Sequence, residues 1–214
     1  MSQKNIFLNS EGDNWFNRNN DYLESKDWNN DSIIELMSQN CEVFKNSSIL
    51  EIGCSAGHRL TQIKQKFNAN VYGVDPSKKA IDVAVSLGIK ATVASADNLP
   101  FENEKFDVVI LGFCLYLCDR SDLFKIAYEV DRVIKNKGWI IILDFYSEKQ
   151  KVVKYHHKEG INTFKYDHSK LFTWNPNYSE YYRKITDHSS LKNNNFTDDN
   201  NEMISLNLLR KIVE

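Results

Sequence analysis

Ser48-Ile49-Leu50-Glu51-Ile52-Gly53-Cys54-Ser55-Ala56-Gly57-His58-Arg59-Leu60 is the stretch on which the fold turns. Ile49, Leu50 and Ile52 form the apolar run that a strand buried on both faces requires. Gly53 and Gly57 bracket a turn where backbone can approach a ligand closely. Beyond it, Leu60, Ile63 and Phe67 recur at helical spacing. Strand, glycine turn and helix in this order predict free backbone N–H groups at the carboxyl end of a parallel strand, where open α/β sheets bind ligands. A dinucleotide fingerprint would need glycines at 53, 55 and 58, but Ser55 and His58 stand at two of these positions.

Outward from this unit, strands and helices alternate. Val71 to Val74 reads as a second strand ended by Asp75 and Pro76, and Ser77 can cap a helix that buries Ala80, Ile81, Ala84 and Val85. Asp75 lies about twenty residues past the glycine turn, where a carboxylate can accept both hydroxyls of a ribose. Lys90 to Ala94 is a short third strand, followed by the polar turn Ser95-Ala96-Asp97-Asn98. Asp97 there is either a turn residue or an acceptor for an adenine amine. Phe106 to Leu111 is a fourth buried strand, and Gly112-Phe113-Cys114-Leu115-Tyr116-Leu117-Cys118 stays apolar past its end. Such a loop is either ligand wall or packing.

Ser121 or Asp122 opens a helix with Leu123, Ile126, Val130 and Val133 on one face, closed by Lys135, Lys137 and Gly138. Trp139 to Leu143 is the fifth strand, with Asp144, Phe145 and Tyr146 on the ligand side. This alternation means a parallel sheet with right-handed crossovers. Tyr181 to Thr186 and Ile204 to Ile212 read as two closing strands around an Asn- and Asp-rich loop, Ser189 to Glu202. At the other end, a helix is expected from about Asn14 to Ser25, and a second is capped by Asp31. Trp15 and Arg18 sit one turn apart, so the pair could cover an adenine and meet a carboxylate; the plainer reading is a helical cap on the sheet.

The 214 residues suggest one domain with a substantial core. With 27 basic and 29 acidic residues the net charge is −2, which gives no basic footprint for nucleic acid. The first residues lack the apolar core of a secretion signal, and no apolar run approaches the ~20 residues of a membrane span. A cytoplasmic location is therefore expected. Cys41, Cys54, Cys114 and Cys118 form no CxxC pair and have no histidine at a ligand spacing, so neither disulfide nor metal is expected.

Taken together, Glu51–Gly57, Asp75, Ala96-Asp97, Leu99-Pro100-Phe101, Phe106-Asp107-Val108-Val109 and Arg132 to Gly138 resemble a class I S-adenosylmethionine (SAM)-dependent methyltransferase of the small single-domain type. The family's first motif is an acid with glycines two, four and six positions later; only Ser55 departs from it. The turn Asn136-Lys137-Gly138 also departs from the Pro and two Gly of many relatives. The resemblance implies an α/β, Rossmann-like, seven-stranded, mostly parallel sheet with helices on both faces and the last strand antiparallel. It divides one domain over 1–214 into an N-terminal helical cap (1–44), a SAM-binding core (45–146) and a substrate-side segment with the closing strands (147–214). It further implies SAM as cofactor and S-adenosylhomocysteine as product. Gly53, Cys54, Ser55 and Gly57 would approach the amino-acid part, and Glu51 its ammonium. Asp75 with Pro76 would hold the ribose, Ala96, Asp97 and Asn98 the adenine, and Phe113, Cys114 and Leu115 the methyl side.

The chemistry implied is displacement at the sulfonium methyl carbon, helped by alignment and, for a hydroxyl acceptor, by a base. His156 and His157 are the leading candidates, because this architecture places the segment after the fifth strand over the pocket; ordinary surface histidines are the alternative. Tyr116 is a candidate to orient substrate. The His, Lys, Tyr, Trp and Asn mixture over 154–178 suggests a polar small molecule methylated at oxygen, such as a saccharide or an activated sugar or phosphate precursor. The competing readings are a protein or nucleic-acid methyltransferase and a non-catalytic SAM- or nucleoside-binding module. Gly112-Phe113-Cys114-Leu115 is unlike the Asn-Pro-Pro-Tyr motif of amino-group methylases. The expected partner is a small-molecule substrate, with neither nucleic acid nor membrane, and a homodimer is left open.

Overall fold

In the computed structural model, which describes residues 2–188 and 203–214, consecutive residues of each central strand serve opposite faces of one sheet. Ile49, Val108 and Ile141 pack to one side, and Leu50, Val109 and Ile142 to the other. The strands are β1 (Ser48–Ile52), β2 (Asn70–Asp75), β3 (Lys90–Val93), β4 (Phe106–Gly112) and β5 (Ile134–Phe145), then a separate hairpin of β6 (Lys151–Lys154) and β7 (Asn162–Lys165), then β8 (Tyr178–Asp187) and β9 (Met203–Lys211). The seven-stranded sheet has the order β3-β2-β1-β4-β5-β9-β8. β9 runs antiparallel to β5 and β8, and the first five strands are parallel. The architecture is the α/β sheet with an antiparallel last strand that the sequence predicts.

The helices are α1 (Gln3–Ile6), α2 (Gly12–Ser25), α3 (Ser32–Gln39), α4 (Cys41–Phe44), α5 (His58–Phe67), α6 (Lys78–Ser86), α7 (Leu123–Val133) and α8 (Lys170–Thr173). Ile33, Ile34 and Met37 of α3 and Leu60, Ile63 and Phe67 of α5 cover one face of the sheet. Ile126, Val130 and Val133 of α7 and Phe172 of α8 cover the other. Asp31 and Ser77 cap α3 and α6 by accepting from Ile33 N and Ala80 N, both at 3.1 Å.

Four local expectations need correction or limits. The first helix reaches back to Gln3 through a π-helical turn, Phe7–Glu11. That turn sets Gly12 against Pro76 and Ser77, where a Cβ would lie 3.0 Å from Ser77 N. α7 ends at Val133 rather than at Gly138, because Ile134 already pairs with Phe106 and starts β5. The segment after β5, for which no element was expected before Tyr181, contains the β6–β7 hairpin, whose Lys-Val-Val-Lys strand is too short and exposed to give a pattern. The predicted loop Ser189 to Glu202 lies outside the described residues.

Candidate functional site

The carboxyl ends of β2, β1, β4 and β5 open into a cavity of about 450 Å³, roofed by α1, the π-helical turn and α2. That size is within the usual range for small-molecule sites. The turn after β1 forms its floor. Gly53 has φ +77°, and a Cβ there would lie 2.8 Å from Cys114 Cβ, so glycine lets the turn sit against the next loop. Ser55 takes a left-handed φ of +48° despite its side chain. The N–H groups of this turn are not free as expected. Gly53 and Cys54 donate to Val74 O at 2.8 and 3.1 Å, Ser55 donates to Asp75 Oδ2 at 2.9 Å, and Gly57 donates to Cys54 O at 2.9 Å. The turn thus offers close approach and shape rather than an N–H nest.

Two carboxylates face the cavity from the ends of β1 and β2. Asp75 accepts from Ser55 N and, at 2.8 Å, from Ser77 N; each oxygen keeps a second lone pair. Burial pushes its pKa up to about 6 against these two backbone donors. Glu51 pairs with Arg59 through Oε1. Its Oε2 is buried with no partner among the described residues. Burial raises the Glu51 pKa, and the Arg59 guanidinium opposes that rise. Arg59 also holds Asp31 through Nε and Nη2 at 2.9 and 3.1 Å, and Lys26 Nζ reaches Asp31 at 2.9 Å. Two acids and two bases balance here, and an unanswered acceptor is left at the wall.

Toward β4 the wall becomes aromatic. Phe113 has a left-handed φ of +52°. Its ring stands 5.4 Å from Phe145, which in turn stands 5.0 Å from Tyr116. Asp144, fully buried at the end of β5, anchors this loop by accepting from Leu115 N at 2.8 Å and Tyr116 N at 3.3 Å. Burial pushes its pKa up to about 7. Burial also holds the Tyr116 phenol well above its usual range, which keeps it protonated at neutral pH. The Cys54 and Cys114 thiols are raised by burial, and Cys118 is pushed up to about 12, which keeps all three protonated.

Of the residues singled out from sequence, Trp15, Glu51, Gly53, Cys54, Ser55, Asp75, Pro76, Ala96, Asp97, Phe113, Cys114 and Tyr116 line this one cavity. Six others do not. Arg18 points instead to Glu11 at 2.5 Å and the Tyr155 hydroxyl at 2.9 Å, tying α2 to the hairpin. Gly57 lies behind the turn, where a Cβ would meet Ala84 and Ile89 at 3.2 Å. Asn98 is exposed, and the Leu115 side chain is in the core beneath the loop. His156 and His157 are exposed in the β6–β7 connection, 3.9 Å apart ring to ring, because the hairpin directs its connection away from the cavity. Asp97 lines the cavity but is already engaged by Lys4 at 2.6 Å and Lys125 at 3.3 Å. The sequence reading missed Lys4, Lys26, Arg59 and His188, all of which line the cavity. Arg59 had a signal, being the second residue of the helix that follows the turn. His188 ends a strand that the topology points at the ligand side.

The fold agrees with the comparisons. A methyltransferase domain model matches residues 50–142, and the chain is similar to SAM-dependent methyltransferases. It is similar to the Bacillus subtilis methyltransferase YcgJ, 27% identical over 140 residues, covering 62% of this chain and 54% of that one. It is also similar to the ubiquinone/menaquinone biosynthesis C-methyltransferase UbiE of Rickettsia massiliae, 30% identical over 122 residues, covering 51% and 48%. The chain thus spans about half the length of these curated relatives. Among solved structures, the Burkholderia thailandensis 1,6-didemethyltoxoflavin-N1-methyltransferase with bound S-adenosylhomocysteine superposes with a TM-score of 0.73 at 11% identity, covering 97% of this chain and 88% of that one. Among the described residues, no helix is long and apolar enough to cross a membrane.

Proposed function

We propose that this chain transfers the methyl group of SAM to a small molecule, at oxygen. The carrying observation is that one cavity joins a nucleoside-type cradle, Glu51, Gly53 and Asp75, to the aromatic loop after β4. The residues fit the cofactor chemically. Glu51 Oε2 is a buried acceptor suited to an ammonium, Asp75 has lone pairs for two ribose hydroxyls, and Gly53 keeps the floor clear. Lys26 and Arg59 are the cations on this wall for a carboxylate. When bound, the cofactor supplies an electrophilic methyl carbon; the protein's part is to align the acceptor with it and exclude water.

The saccharide version of this reading leaned on residues 154–178, none of which is among the cavity's lining. The acceptor is read as a small molecule in the cytoplasm rather than a nucleic acid or a membrane lipid, on the near-balanced charge of the sequence. Methylation at carbon is the second reading, favoured by the relative named for C-methylation. Calorimetry with SAM and S-adenosylhomocysteine, followed by transfer of labelled methyl to candidate metabolites, tests the proposal. No heat with either nucleoside would refute it.

A further inference from the structure

The end of the cavity away from Asp75 has a wall of which the cofactor reading uses only Phe113, on the methyl side. Phe113, Tyr116 and Phe145 meet there with His188, the residue immediately after β8. β8 runs parallel to β5, two places away in the sheet, so its carboxyl end opens on the same side. His188 reaches across the start of β9 to place its ring 5.3 Å from Phe145 and 5.6 Å from Phe113. Phe113 meets it almost at right angles, 85°, from a backbone conformation that bulky residues seldom hold. Strained side chains of this kind concentrate where a ligand is gripped. His188 itself is exposed, so one edge of the wall is open to solvent.

Resting on the methyltransferase reading above, we propose that this wall is the acceptor subsite, that it takes a flat unsaturated ring bearing a hydroxyl, and that His188 receives the hydroxyl proton. Rings 5.0–5.6 Å apart and inclined at 40–85° to one another offer edges and faces to another ring. Phe113 and Phe145 offer a polyol nothing to bond, and Tyr116 and His188 can answer only one or two of its hydroxyls; a buried hydroxyl without a partner is costly. Asp144 lies behind the loop and is engaged by Leu115, Tyr116 and Phe145 N–H groups, so it does not select for a cation. The choice of a ring hydroxyl over an alcohol follows from acidity. A phenol ionises near ~10, close enough to an imidazole's ~6.5 for general-base transfer, whereas an aliphatic alcohol is far weaker. In the step, the acceptor oxygen forms a bond to the methyl carbon of SAM as its proton passes to His188. The carbon–sulfur bond breaks with its electron pair left on sulfur, giving a methyl ether and S-adenosylhomocysteine. The imidazolium then returns its proton to the solvent it faces.

The test uses the full chain saturated with S-adenosylhomocysteine, titrated calorimetrically with 2,3-dihydroxynaphthalene and, separately, with methyl glucoside. The naphthalenediol is expected to bind and the glucoside not. Phe145→Leu should weaken the diol at least tenfold with the nucleoside's affinity unchanged. His188→Gln should leave diol binding within about threefold and lower labelled methyl transfer to it by about 10²–10⁴-fold. Failure of the nucleoside to bind would remove the methyltransferase reading itself. Nucleoside binding with glucoside preferred over the diol, full transfer by the His188→Gln variant, or a carbon-methylated product would each overturn the present proposal alone.

Discussion

Lys4 Nζ stands 2.6 Å from Asp97 Oδ2, so an N-terminal helix is latched to the turn after β3 directly over the cavity. Gln3 adds a second hook, its side chain bonding Leu117 O at 2.9 Å and Asn162 O at 3.1 Å. A ligand must pass under or displace this roof. Lys4 is partly exposed, so the pair is worth about 1 kcal/mol or less to global stability. Lys4→Met is therefore expected to leave the melting temperature within a few degrees while loosening the roof. Amide exchange over 3–8 should speed up, and S-adenosylhomocysteine should dissociate several-fold faster by stopped flow. Unchanged exchange and dissociation would show that the roof is held by other contacts.

Asp75 makes nucleoside affinity pH-dependent in a direction that can be worked out. Burial raises its folded-state pKa to about 6, above the ordinary carboxylate value. The apo protein therefore holds a proton that the unfolded chain has lost. This group's contribution to stability is complete below about pH 4 and disappears as pH rises through 6. Ribose hydroxyls donate to the ionised form, so binding runs the other way. Affinity for S-adenosylhomocysteine should be flat above pH 7 and fall as pH drops below 6. Asp75→Asn should cost tenfold to a hundredfold, about 1.4–3 kcal/mol, and lose the pH dependence, measured by calorimetry from pH 5 to 8.

The sheet was legible because its strands carry their own signal: buried on both faces, Ile49 to Ile52 and Phe106 to Leu111 are apolar runs, and Asp75 and Gly53 mark where they stop. That the turn after β1 forms the cavity floor was legible for the same reason, since turn residues answer to local backbone needs; that its N–H groups are engaged by Val74 and Asp75 was not. What failed was anything set by where a connection travels in space. His156 and His157 looked well placed in sequence, but the hairpin that carries them is held by Gln3–Asn162 and Arg18–Tyr155 contacts with α1 and α2, more than a hundred residues away. His188 was missed conversely: it stands beside a polar stretch and acquires an aromatic setting only when β8 folds next to β9.

That placement makes a plain prediction for the two hairpin histidines. A His156→Ala/His157→Ala double variant should keep its affinity for S-adenosylhomocysteine and its melting temperature, and any methyl transfer, within about twofold, because both rings are exposed outside the cavity. A hundredfold loss of transfer with binding intact would return them to the reaction.

Gly53→Ala tests the floor. The added Cβ would lie 2.8 Å from Cys114 Cβ, in a backbone held at φ +77°. Both the collision and the left-handed φ oppose it, so a loss of about 1–3 kcal/mol is expected in urea unfolding. Nucleoside affinity should fall with it, because relief requires the turn and the 112–118 loop to part. Cys114→Gly in the same chain removes the collision but not the φ cost, and should restore only part of the stability.

Arg59→Met tests the buried charge cluster, and its pH profile separates lost charge from lost packing. Arg59 is nearly buried and answers both Asp31 and Glu51, which are themselves 2% and 1% exposed. Methionine keeps much of the stem but leaves two carboxylates close together with only Lys26 nearby. Removing one partner of a buried ion cluster typically costs about 3–5 kcal/mol, and a loss of that size is expected near pH 8. The stranded carboxylates would then ionise less readily in the folded state than in the unfolded one. By linkage, the variant must regain stability as pH falls toward 5, the reverse of ordinary acid denaturation. Denaturant midpoints for both proteins at pH 5 and pH 8 would measure this. A deficit that stays constant with pH would mean that Arg59 matters for its packing and not for its charge.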